Sequence, residues 1–129
     1  MSTNNNIVSF VAAEAITEFA VVSMDSAGKI VITDAATDNK VVGVAQRACA
    51  SGDAVEVLVH GITRIIASET IDETKPILSA ATDGKLQACE VTDTTFYPIA
   101  RLLPNINQTQ VAANEQGIVY FFGPSSLNT

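Results

Sequence analysis

The stretch Ile7-Val8-Ser9-Phe10-Val11-Ala12-Ala13-Glu14-Ala15-Ile16-Thr17-Glu18 decides the reading of this chain, because it returns without a gap as Ile62-Thr63-Arg64-Ile65-Ile66-Ala67-Ser68-Glu69-Thr70-Ile71-Asp72-Glu73. Each copy is a short apolar run followed by Glu-x-Ile-x-Glu, and the two lie about 55 residues apart, the spacing of a repeated structural unit. Working outward, Ala20-Val21-Val22 answers Pro76-Ile77-Leu78, and Gly28-Lys29-Ile30 answers Gly84-Lys85-Leu86 after a one-residue shift. Val42-Gly43-Val44-Ala45 is then set against Tyr97-Pro98-Ile99-Ala100. Each copy closes on an apolar run ending in glycine, Val55 to Gly61 and Gly117 to Gly123. These runs are short, rich in Val and Ile, and bounded by Gly, Asp, Asn, Ser and Thr, which is the pattern of strands and hairpin turns. The turn candidates Asp25-Ser26-Ala27-Gly28, Ala50-Ser51-Gly52-Asp53 and Thr82-Asp83-Gly84 supply glycine where a hairpin needs positive φ.

The predicted fold is therefore all-β, a β-barrel or β-sandwich built from two repeats with little or no helix. No stretch keeps apolar residues at three-and-four spacing long enough for a confident helix, so at most a turn or two is expected near Gln46 to Ala50 or Gln110 to Gln116. A unit of this size cannot cover its own apolar face, whereas two packed together can. The expected organisation is a polar N-terminal arm at 1–6, one β domain at 7–123 divided into repeats at 7–61 and 62–123, and a polar tail at 124–129.

Composition narrows the function. Apolar residues make up 47% of the 129 and charged ones 16%, which excludes disorder and leaves apolar surface for partners. Fourteen acids against seven bases give a net charge of −7, with no Lys/Arg cluster, so the chain lacks the cations that would replace the counterions of a nucleic acid. No apolar run approaches the roughly 18 to 20 residues of a membrane helix, and the start Met1-Ser2-Thr3-Asn4-Asn5-Asn6 lacks the basic and apolar regions of a signal peptide, so no membrane partner and synthesis in the cytoplasm are expected. Cys49 and Cys89 do not form a disulfide framework and are expected to stay reduced.

The chemistry-bearing residues are sparse. His60 is the only histidine, so a metal site, a serine triad and a Cys–His pair would all depend on it. The acids Glu14/Glu18 recur as Glu69/Glu73; a catalytic pair needs two different environments, and recurrence instead marks the solvent side of a strand or loop. Gly28-Lys29 and Gly84-Lys85 lack the flanking residues of a phosphate loop. The reading is no enzyme, no cofactor and no metal. Most aromatics, Phe96, Tyr97, Tyr120, Phe121 and Phe122, fall in the second copy, where they are core or subunit contacts.

With these motifs in view, the sequence resembles the capsid cement, or decoration, proteins of tailed bacteriophages, a small duplicated β family. The resemblance rests on Ala20-Val21-Val22-Ser23-Met24-Asp25 leading to Gly28-Lys29-Ile30, on Val42-Gly43-Val44-Ala45, and on Ala50-Ser51-Gly52-Asp53-Ala54-Val55-Glu56-Val57-Leu58-Val59-His60-Gly61; it spans roughly residues 7 to 100. The second copy departs from it at Pro98 and in the Asn- and Gln-rich insertion at 101–116. The resemblance implies a virion protein on the capsid exterior, a homotrimer bridging major capsid subunits to stabilise the shell against internal DNA pressure. Candidate capsid or subunit contacts are Ser2, Thr3, Asn4, Asn5 and Asn6 in the arm, with Phe96, Tyr97, Tyr120 and Phe122. The rival is a carbohydrate-binding or tail-associated β module, which the lack of tryptophan disfavours.

Overall fold

The computed structural model describes residues 6–90, 92–93, 95–103 and 110–123. Eleven strands run through them: β1 (Asn6–Val11), β2 (Val21–Met24), β3 (Ile30–Ile32), β4 (Val41–Ala45), β5 (Ala54–Ile66), β6 (Ile71–Asp72), β7 (Ile77–Ala80), β8 (Leu86–Ala88), β9 (Pro98–Leu102), β10 (Gln110–Val111) and β11 (Gln116–Phe121). Nine form one antiparallel sheet in the order β3-β2-β4-β5-β11-β9-β7-β8, with β1 paired to β5 off this path; β6 and β10 form a separate pair. The sheet curls as a half-barrel, and the fold is all-β as the strand pattern predicts.

β5 is the spine. Its first half pairs with β1 and β4, its second half with β11. Alternation buries Gly61, Thr63 and Ile65 and turns Ile62 and Arg64 outward. The two consecutive buried residues Val57 and Leu58 precede a slip in the pairing with β1, where Asn6 stands opposite His60 but Ile7 opposite Leu58.

The pairing of the first half recurs in the second. The hairpin β2–β3 and the pair β2–β4 are matched by β7–β8 and β7–β9, with a register slip at Val22/Ser23 in one and at Leu78/Ser79 in the other. This register corrects one detail of the sequence alignment. Gly43 stands opposite Val22 as Ala100 stands opposite Leu78, and Val41 opposite Ser23 as Pro98 opposite Ser79. Pro98 therefore takes the place of Val41, not of Gly43. Motifs as short and permissive as Val-Gly-Val-Ala leave a two-residue slide open, and only the ladder closes it.

Small acids finish these strands. Asp25 Oδ1 accepts from the backbone N–H groups of Ala27 and Lys29, closing the β2–β3 turn. Glu14 accepts from Ile32 N–H at 2.8 Å and Glu69 from Ala88 N–H at 3.2 Å, so the recurring glutamates cap the ends of β3 and β8. The one short helical turn among the described residues lies at Thr82–Gly84, where the sequence predicts a hairpin turn. The helical turns expected near Gln46 and Gln110 do not form. Gln46 instead donates to the Val44 carbonyl and the Thr63 hydroxyl, and Gln110–Val111 pairs with β6. At Gly84, φ is +72° and its N–H donates to the Thr33 carbonyl; a Cβ there would lie 2.8 Å from that of Ala20, so this turn docks the second half on the first.

The main core crosses the halves: Val21, Val41, Val44 and Leu58 pack with Ile65, Leu78, Leu86, Ile99, Val119 and Phe121. A smaller cluster around Ile16, Val22, Ile30, Val55 and Val57 belongs to the first half alone. Cys49 and Cys89 form no disulfide.

Candidate functional site: the outer face of β5, β11, β9 and β7

Register partners on an antiparallel sheet share a face, so the ladders define which side chains lie together. Ile62 stands opposite Tyr120, Tyr120 opposite Arg101, and Arg101 opposite Ile77, a row across four strands. In the next row Arg64 stands opposite Ile118, and the Leu103 N–H donates to the Ile118 carbonyl. The neighbours on the other face, Thr63, Ile65, Val119, Phe121, Ala100, Leu102 and Leu78, are all buried. These two rows face outward: Ile62 is 42% exposed, Arg64 and Arg101 are exposed, and Tyr120, Ile118 and Ile77 are half-buried.

The same row exists in the first half, where Ile7 stands opposite Leu58, Leu58 opposite Val44, and Val44 opposite Val21. There Leu58, Val44 and Val21 are fully buried in the core shared with the second half. A row fully buried in one half is thus only half-buried to exposed in the other, where Tyr120, Arg101 and Ile77 occupy it.

At one end of this face lies an aromatic corner. The Tyr120 hydroxyl and His60 Nε2 are 2.8 Å apart, their rings meet edge to face at 5.3 Å, and Phe122 stands 6.3 Å beyond. Asn6 lies opposite His60 and Phe121 opposite the adjacent Gly61, so the described chain begins and ends at this corner. Of the residues expected to make contacts, Asn6, Tyr120 and Phe122 are brought together here; Ser2, Thr3, Asn4 and Asn5 lie outside the described residues. Phe96 and Tyr97 are elsewhere. Tyr97 packs against the main core with its N–H on the Ala36 carbonyl, and Phe96 lines an open cleft of about 460 Å³ with Asp34, Ser68, Glu69 and Thr82.

Sequence reasoning passed over Arg64, Arg101, Ile62 and Ile118. β5 and β11 carry apolar residues at successive positions, so alternation does not tell which face of them is covered. β1 is a second exposed apolar element, with Ile7, Val8 and Val11 each more than 40% exposed.

Several charged groups elsewhere are engaged locally. Arg47 Nε donates to Glu56 at 2.7 Å; this bond raises the Arg47 pKa and holds the Glu56 carboxyl below its ordinary value. The Thr74 hydroxyl and N–H bond Asp72 and lower its pKa in the same way. Lys75 pairs with Glu90 at 3.1 Å. Among the described residues no group of three or more His, Cys, Asp and Glu side chains gathers as metal ligands, and no helix is long and apolar enough to cross a membrane.

Residues 4–61 match the phage cement protein family, which bears out the resemblance drawn from the sequence and places the strands β1 to β4 and the first half of β5 in that family's unit. The fold is similar to that of the head fiber N base in bacteriophage phi29, with a TM-score of 0.66, 12% identity, and coverage of 95% of this chain and 98% of that one. No curated protein sequence matches the chain. The family is one of structural phage proteins.

Proposed function

We propose that this chain is a capsid cement protein that binds the outer surface of the phage head as a homotrimer and bridges neighbouring major capsid subunits. The match of residues 4–61 to the cement family carries this reading, and a fold shared along nearly the full length with a head fiber base supports a place on the head surface. The two halves are read as copies of one unit within a single domain at 7–123, flanked by the arm and the tail. The protein carries out no catalysis. Its action is linkage: a protein that binds the assembled shell and not its separated subunits stabilises the shell by mass action, and three contacts held together add through effective concentration.

The test is light scattering for the mass of the purified protein, then co-sedimentation with emptied, expanded heads. A trimer that pellets with heads to a saturable stoichiometry and raises their disruption temperature supports the reading. A protein that stays in the supernatant refutes it.

A further inference from the structure

We infer that the outer face made by Ile62, Tyr120, Arg101, Ile77, Arg64 and Ile118 is the surface through which one copy of this chain takes hold of a second; this rests on the proposed homo-oligomer and names the face that forms it. Three observations converge. The first is charge. The chain carries −7, so two copies repel wherever their acidic surfaces meet. In the two rows of this face, however, the charged side chains are both arginines, each exposed and neither in an ion pair among the described residues. Here an acidic copy is attracted rather than repelled, since acids outnumber bases fourteen to seven over the chain and both halves carry seven of them.

The second observation is the internal precedent. The corresponding row Leu58–Val44–Val21 of the first half is the one that packs against the other half of the same molecule, so this position on the unit is already used as an interface once. Replacing Leu58, Val44 and Val21 by Tyr120, Arg101 and Ile77 turns a permanent core row into one that tolerates water before assembly. The third is composition. Tyr and Arg set among isoleucines is the make-up of an interface centre, where aromatic and guanidinium groups contribute most of the binding energy. The Arg-bearing face of one copy meets a different, acidic face of the next, a heterologous contact that closes into a ring.

The double charge reversal R64E/R101E tests this. Both side chains are exposed, so the variant is expected to keep the wild-type circular dichroism and melting temperature while its self-association weakens at least tenfold and its light-scattering mass falls to that of the 13.5 kDa monomer. Arg64→Lys with Arg101→Lys keeps the charge and retains the oligomer, and raising the salt weakens it. A reversed variant that keeps the wild-type mass overturns the inference, as does a wild-type protein that is monomeric at 100-fold dilution steps from the highest soluble concentration downward. Head binding separates this from the proposed function. A monomeric wild type that still pellets with heads overturns the self-contact alone, and an oligomer that ignores heads overturns the cement reading alone. If the reversed variant keeps its mass but no longer pellets, the face meets the shell, and the self-contact is overturned.

Discussion

Ser23 and Ser79 hold matching places in the two halves, each just past the register slip of its strand, yet they should respond oppositely to the same substitution. Ser23 is 2% exposed and donates to Asp38 Oδ2 at 2.8 Å; since an ionised carboxylate only accepts, the nearly buried Thr33 hydroxyl donates in turn to Ser23. Ser79 is fully buried and its hydroxyl has no hydrogen-bond partner. In Ser79→Ala the penalty of a buried unpaired hydroxyl disappears, about 1 to 3 kcal/mol, offset in part by the lost contacts of one oxygen, so a net gain of about 1 kcal/mol is expected. In Ser23→Ala two bonds go and Thr33 is left unpaired, a loss of about 2 kcal/mol. For a chain of this length 1 kcal/mol corresponds to roughly 3 to 4 °C. Differential scanning calorimetry at neutral pH should therefore show Ser79→Ala melting about 3 °C above wild type and Ser23→Ala roughly 6 to 8 °C below it. The reasoning fails if Ser79→Ala melts clearly below wild type, because the hydroxyl would then be stabilising its surroundings.

Further outcomes follow from packing and titration. Gly43→Ala would press a methyl against the Leu58 carbonyl oxygen and to 2.7 Å from Val57 Cγ1, forcing β4 from β5, and about 3 kcal/mol of stability should be lost in chemical denaturation. Phe121→Ala removes a fully buried ring from the core between the halves and should cost about 3 to 5 kcal/mol by the same measurement. Asp72 and Glu56 have folded pKa values below their ordinary ones, so each stabilises the fold above the unfolded carboxylate value and loses that contribution as pH falls through the lowered one. NMR titration should place the Asp72 midpoint below that of a free aspartate, and Thr74→Ala should return it towards that value.

The residues themselves determined much of this protein. The β-branched runs and their Gly and Asp punctuation place the strands, because extended backbone suits branched side chains and a turn needs a residue that accepts positive φ or caps it, as Asp25 does. The recurrence of Ile7–Glu18 at Ile62–Glu73 was legible, and with it the match of acids whose first members, Glu14 and Glu69, cap strand ends; that use of the carboxylates was not, since their partners Ile32 and Ala88 lie 18 and 19 residues away. Tertiary structure alone decided which face of each strand is covered. A strand pattern separates two faces but does not say which neighbour arrives, so Val21, Val44 and Leu58 look no more destined for burial than Ile77, Ile118 and Ile62. Among the described residues, the first half's row packs into the core shared with the second half, while the second half's row stays half-buried to exposed, because burial depends on which strands arrive from elsewhere in the chain.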